Sequence, residues 1–360
     1  MKILLLAGEE SGVMYASRLR GLLSRHEVRG YAESGFATAD LAVFGFWEVF
    51  KRAFFFMRVK RTMERVIDEW RPDVVCTIDY PGMNLRLAAY AKKRGIRTVH
   101  VVCPQVWAWH SGRIPKIEAS LDKLCCFFPF EPALFRPGFA EFVGHPLADE
   151  RFGTSAAERE RGLVAILPGS RIGEIDRHLP TMLEAVRGIP GVRIAIPAAN
   201  AVAKEEIYWI AAHENVEVLP RDEVRGLLER AQCAVVASGT ATLEAALAGC
   251  PTVLVYKVGR LLAAFLRRAI KGIRHVGLAN IVAEKSGAPC PMPELLQEDF
   301  TAGNVRSYVE RWLGDTAERE KATAALSAAV SLLKPDGGAL ERIARAVEGT
   351  AAESGEKEAK

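Results

Sequence analysis

The sequence predicts an α/β protein of two Rossmann-like domains facing a central cleft, and three observations carry that expectation. Short β-branched runs alternate with helix-patterned stretches through the first half of the 360 residues, as a parallel sheet with crossover helices requires. The rhythm restarts near residue 163, after a polar, Gly-bearing interruption over about 146–162. The length itself accommodates two cores, given roughly 150 residues per domain.

Taken in order, KILLLA (2–7), DVVCTI (73–78) and RTVHVVC (97–103) read as strands, with a helix from Leu85 to Lys93 between the second and third. The second series is LVAILPGS from 163, VRIAIP (192–197), VEVLP (216–220), CAVVASGT (233–240) and PTVLVY (251–256), each next to a helical stretch. Past about 301 the pattern is helical, and AAESGEKEAK reads as a frayed charged tail. The expected division is 1–150, 151–335, and a C-terminal helix and tail over 336–360, one arrangement being that it packs back on the N-terminal domain. Open parallel sheets bind ligands beyond the carboxyl ends of their strands, so each strand-to-loop junction is a candidate site.

Composition narrows the function classes. Apolar residues at 49% and charged residues at 26% exclude disordered, collagen-like and coiled-coil chains. No apolar run approaches the ~20 residues that cross a bilayer, and MKILLLAGEESG meets Glu9 and Glu10 too early for an export signal. The net charge of +4 is too mild to demand nucleic acid. Seven cysteines without C-x-x-C spacing read as reduced, cytosolic thiols. There is no phosphate-binding G-x-x-x-x-G-K-[ST], no G-x-G-x-x-G, no G-x-S-x-G and no H-E-x-x-H. No two aspartates stand two apart to clamp a diphosphate metal. No metal and no cofactor are therefore expected at the site.

Several loops carry candidate chemistry. Leu167-Pro168-Gly169-Ser170-Arg171 follows a strand; Arg171 offers a forked donor to a diphosphate, and Gly169 lets the backbone come close. Ser238-Gly239-Thr240-Ala241 opens a helix whose first amides suit an anion, with Glu244 one turn in. The plainer alternatives are a helix cap at Ser238 or Thr240 and a surface ion pair at Arg171. Asp79, ending DVVCTI, is placed to act as a general base on a hydroxyl, or else to form an Asx turn before Pro81. Gly8-Glu9-Glu10-Ser11-Gly12 is a further strand-to-helix junction.

The most unusual composition runs from Leu41 to Arg61, with six of the sixteen phenylalanines, Trp47, and Lys51, Arg52, Arg58, Lys60 and Arg61. Aromatics that sink to the acyl boundary beside bases that reach anionic headgroups describe an interfacial segment. A core helix with snorkelling bases and a homodimer patch are the alternatives.

Together, AGEESG (7–12), LAVFGFWEVF (41–50), IDYPGMN (78–84), PQVWAWHSGRIPKI (104–117), FPFEPALF (128–135), FVGHPLAD (142–149), LPGSRIGEI (167–175), ASGTATLEAALAGCP (237–251), LANI (278–281) and PELLQ (293–297) resemble the lipid-A-disaccharide synthases, inverting glycosyltransferases of the GT-B fold. The resemblance implies transfer of 2,3-diacylglucosamine from UDP-2,3-diacylglucosamine to 2,3-diacylglucosamine 1-phosphate (lipid X), giving a β-1,6 tetra-acyl disaccharide 1-phosphate and UDP in lipid A biosynthesis of Gram-negative bacteria. It implies Asp79 and Glu9 as catalytic residues, and Arg171, Ser238, Gly239, Thr240, Glu244 and Asn280 around the UDP. Val43, Phe44, Phe46, Trp47, Phe50, Phe54, Phe55 and Phe56 become the membrane-docking set, for a cytoplasmic protein peripheral on the inner face of the inner membrane. The implied partners are the two acylated sugars, an anionic membrane surface, and a second copy of the chain as a further candidate.

The chain departs from the family pattern at Val13 (usually Asp), Ala279 (usually Pro), His110 (often Arg) and in a shortened loop over 29–40. Two alternatives stand beside the main reading: a divergent paralogue that uses a UDP-sugar on another membrane acceptor, and a non-catalytic UDP-sugar-binding protein of the membrane surface.

Overall fold

The computed structural model describes residues 1–8, 10–36, 53–108, 111–149, 159–212, 214–259, 263 and 274–352. The chain divides into two compact units, 1–149 with 334–360, and 150–333.

In the first unit the described elements are β1 Lys2–Ala7, α1 Glu10–Leu22, β2 Glu27–Arg29, α2 Ala53–Trp70, β3 Val74–Ile78, α3 Pro81–Lys92, β4 Arg97–Val101, α4 Ile114–Ser120, β5 Lys123–Cys126 and β6 Ala140–Phe142. The six strands form one parallel sheet in the order β2-β1-β3-β4-β5-β6. β1 and β3 are apolar and almost wholly buried, because helices cover both faces of a parallel sheet. Phe56, Val59, Met63, Ile67 and Trp70 recur every three or four residues along α2 and face the sheet. β4 stops at Val101, two residues short of the apolar run, because Val102 has φ 76, which a β-branched residue in an extended strand does not adopt.

The unit closes with a helix from the far end of the chain, Ala339–Ala352. Ile343, Ala344, Val347 and Ala351 join Tyr15 and Leu19 of α1, and Leu23 just past it, in the core on one face of the sheet. Glu348 receives Arg25 Nη2 at 2.6 Å and lies 2.9 Å from His26 Nε2.

The second unit runs β7 Glu160–Leu167, α5 Ile172–Val186, β8 Arg193–Ala198, α6 Ala201–Ile210, β9 Val216–Pro220, α7 Val224–Arg230, β10 Ala231–Ala237, α8 Thr240–Leu247, β11 Thr252–Tyr256, α9 Leu278–Lys285, β12 Glu294–Leu296, α10 Ala302–Gly314 and α11 Thr316–Ser331. The helix that closes the first unit, Ala339–Ala352, is thus α12. Its sheet is again parallel, in the order β12-β11-β10-β7-β8-β9. α5, α6 and α10 cover one face and α7 and α8 the other.

Each sheet has one place where the winding reverses, between β1 and β3 in the first unit and between β7 and β10 in the second. The loops that leave the carboxyl ends of those strand pairs diverge to opposite faces and leave a crevice where open α/β sheets bind ligands. They include Gly8 and residues 79–80 in one unit, and 168–171 and 238–239 in the other.

Candidate active-site residues in each unit

Asp79 lies at the carboxyl end of β3, at the reversal point of the first sheet. Asp79 and Tyr80 both have φ 50, a left-handed pair that costs non-glycine residues about 1–3 kcal/mol each. The surroundings hold the turn in place. Asp79 N donates to Val101 O at 2.9 Å, and Tyr80 N donates to Asp79 Oδ1 at 2.8 Å. Asn84, fully buried at the second turn of α3, donates its amide to Asp79 O at 2.8 Å and Ile78 O at 3.1 Å. The amide oxygen of Asn84 accepts from the buried Tyr31 hydroxyl at 2.9 Å. The Tyr80 ring closes over Gly8, where a Cβ would come within 2.7 Å of it. Burial pushes the Asp79 carboxyl above its ordinary range, partly offset by the Tyr80 N–H. A half-buried carboxylate of raised basicity, fixed at a strand end, is suited to accept a proton from a hydroxyl.

Asn84 and Tyr31 did not stand out in the sequence. Asn84 is legible only as the last residue of IDYPGMN, and Tyr31 lies in the loop that reads as merely shortened. Glu9 lies outside the described residues, as do Val43, Phe44, Phe46, Trp47 and Phe50.

The three consecutive phenylalanines of the docking set part company. Phe54 is 84% exposed, whereas Phe56 is 9% exposed and packed against the sheet. Phe55 is half-buried, edge-on to Phe36 at 6.1 Å and to Phe56 at 5.6 Å. Phe56 is therefore corrected from a docking residue to a core residue, since helical geometry turns neighbouring side chains by about 100° and three in a row cannot share one face. The exposed face of α2 instead presents Phe54, Met57, Arg58, Arg61, Thr62 and Arg65 around one shallow depression.

In the second unit, the loops after β7 and β10 flank the sheet's reversal point. Gly169 has φ 120, and a Cβ there would lie 2.5 Å from Glu174 Oε2. That carboxylate gathers the loop: Ser170 N donates to it at 3.1 Å, Arg171 N at 3.4 Å and Arg171 Nη1 at 3.0 Å. Two backbone amides and a guanidinium thus converge on one anionic group, the donor set that a phosphate would also use. Arg171 remains 62% exposed while paired. Gly239, with φ 155, turns the chain into α8; Ser238 Oγ donates to Val276 O at 3.3 Å. Thr240 is exposed at the helix start, where the first amides and the dipole favour negative charge.

Glu244 sits one turn into α8 and accepts from Arg221 Nη2 at 3.1 Å. Arg221, just past β9, escaped notice in the sequence because nothing local links it to Glu244. His178 escaped too. It is fully buried on α5, with Nδ1 2.9 Å from Pro168 O and Nε2 accepting from Lys257 N at 3.2 Å, and so ties the loop after β7 to the segment after β11. Asn280 lies in the interior. Expected at the UDP, it is fully buried on α9, donating to Met292 O and Glu294 Oε1, both at 2.8 Å, and accepting from Met292 N at 3.0 Å. Its amide holds α9 beside β12.

Comparisons with known proteins bear on the family and the fold. A family model described as lipid-A-disaccharide synthetase matches residues 3–335. The lipid-A-disaccharide synthase of Anaeromyxobacter dehalogenans strain 2CP-C is 36% identical over 377 residues, covering 97% of each chain. That of Trichlorobacter lovleyi is 33% identical, over 89% of this chain and 91% of its own. Among solved structures, the glycotransferase of kitacinnamycin superposes with a TM-score of 0.62 at 17% identity, covering 97% of this chain and 98% of that one, a likeness of fold. Two doubly wound parallel sheets, the motifs at their reversal points and a family match over almost the whole length lead to one conclusion: the chain belongs to the lipid-A-disaccharide synthase family of glycosyltransferases.

Proposed function

We propose that the chain transfers 2,3-diacylglucosamine from its UDP derivative to the 6-hydroxyl of 2,3-diacylglucosamine 1-phosphate, with Asp79 as the general base. The observation that carries this is the clamped, half-buried Asp79 at the reversal point of the first sheet. As the acceptor oxygen attacks the anomeric carbon from the face opposite UDP, its proton passes to Asp79; the C–O bond to UDP breaks in the same step, which inverts the centre. Negative charge grows on the leaving diphosphate. Arg171, on exchanging Glu174 for phosphate, and the first amides of α8 supply its stabilisation. Glu244, oriented by Arg221, is the candidate acceptor for ribose hydroxyls.

Both substrates carry acyl chains, and the exposed α2 face fits a surface role. Phe54 and Met57 offer apolar area, and Arg58, Arg61 and Arg65 reach anionic headgroups. None of the described helices is long and apolar enough to cross a membrane. We take this face as the contact with the cytoplasmic leaflet; a second copy of the chain is the competing occupant, distinguished by sedimentation without lipid.

Asp79→Asn tests the assignment. Turnover, followed by mass detection of the disaccharide 1-phosphate, should vanish while UDP still binds with near wild-type affinity. Retained turnover would remove Asp79 from the mechanism.

A further inference from the structure

A second group of chemistry-bearing residues lies in the interior of the first unit, outside the site described above. Cys103 lies two residues past β4, Cys126 ends β5, and Glu131 stands just before the short turn Pro132–Leu134. Strand pairing brings these neighbouring strand ends together, although the three residues are separated by 23 and 5 positions in the sequence. They are 3%, 0% and 2% exposed, and their two sulfurs and a carboxylate oxygen all lie within 4.8 Å of one another.

We infer that Cys103, Cys126 and Glu131 form a binding site for a thiophilic divalent cation of the zinc class. A tetrahedral ion with bonds of about 2.3 Å to sulfur and about 2.0 Å to oxygen needs ligand separations of about 3.5–3.8 Å. The carboxylate is already oriented as metal-binding carboxylates are, through donors outside the coordination sphere: Trp107 Nε1 donates to Oε1 at 3.1 Å and Phe128 N to Oε2 at 3.1 Å. Each oxygen keeps a lone pair for the ion.

On binding, two thiol protons and the carboxyl proton pass to solvent, and the site carries a net charge of −1. Three protein ligands leave the fourth position to water. The ion would join the ends of β4 and β5 and, through Glu131, fix the indole of Trp107 in the PQVWAW loop.

The test uses the full chain expressed with added zinc. Metal content after gel filtration should be one ion per chain. X-ray absorption at the zinc edge should show two sulfur ligands at about 2.3 Å, with oxygen as the remainder. Cobalt exchanged into the site should give thiolate-to-cobalt charge-transfer absorption. Retention should fall about tenfold or more in Cys103→Ser combined with Cys126→Ala, and stay unchanged in Cys290→Ser, which removes the exposed thiol 3.0 Å from His275 Nε2. A wild-type protein that holds no metal, a zinc ion with no sulfur ligand, or loss of the ion in Cys290→Ser would each overturn the site. The absorption measurement needs only wild-type protein, so a double variant that misfolds does not decide the matter.

Discussion

Replacing Asn84 with Leu separates the residue that holds the turn from Asp79, the proposed base. The side chains share the same branched shape and Leu is the larger, so no cavity forms; what is lost is polar. The buried Tyr31 hydroxyl loses its acceptor at 2.9 Å, and Asp79 O loses its donor at 2.8 Å. Stranding a buried polar group costs about 1–3 kcal/mol, so two groups predict a stability loss of about 4 kcal/mol, large against the ~5–15 kcal/mol of a typical domain. The left-handed pair at 79–80 is the strained element nearest the loss and relaxes first. A carboxylate displaced by about 1 Å costs on the order of 10²-fold in rate. Urea unfolding should therefore show the stability loss. The disaccharide assay should show kcat down about 100-fold, with UDP binding unchanged, because the loops proposed to hold the donor belong to the other unit. A kcat within about twofold of wild type would refute the clamp, as would a stability loss below about 1 kcal/mol.

Further outcomes follow from the same physics. Phe54→Ser should release the protein from anionic vesicles with its urea midpoint unchanged, whereas Phe56→Ser should cost about 3–5 kcal/mol of stability; equal effects in both assays would contradict the division between surface and core. Burial pushes the His100 ring down to about 3, with Nδ1 2.7 Å from Thr77 Oγ1 and Nε2 without a partner. The folded state thus excludes a proton that the unfolded chain accepts below its ordinary value of 6.5. Stability contributed by the neutral ring is complete above that value and declines as the pH falls toward 3. Between pH 6.5 and 5 the decline is about 2 kcal/mol, so the stability of His100→Leu relative to wild type should rise by that amount on acidification. A pH-independent difference in paired urea titrations would show that the ring is not excluded from protonation.

The strand runs were legible because buried parallel strands must be continuously apolar. KILLLA became β1 with its expected ends and DVVCTI became β3 without its first residue, Asp73, whereas β4 ended early at a backbone angle that composition does not encode. The loops LPGSR and SGT were legible for the same reason, since each follows such a strand. The orientation of single side chains was not. Phe54, Phe55 and Phe56 look alike as letters, and only the pitch of α2 sends one outward and one into the core. Asn280 matched a family position, yet its amide is consumed by Met292 and Glu294. Asn84, His178 and Arg221 act through partners found by folding, so no local pattern marks them.

The two doubly wound sheets, the family and the loops at the carboxyl ends of the central strands were readable from the order of residues alone, because hydrophobic periodicity and turn chemistry are local properties. Tertiary structure alone decided that the helix Ala339–Ala352 completes the first unit's core, that Asp79 is clamped in a left-handed turn, and that Cys103, Cys126 and Glu131 converge. Each of these depends on strand order and helix packing, which set contacts between residues far apart in the chain and are fixed only when both faces of a sheet are covered.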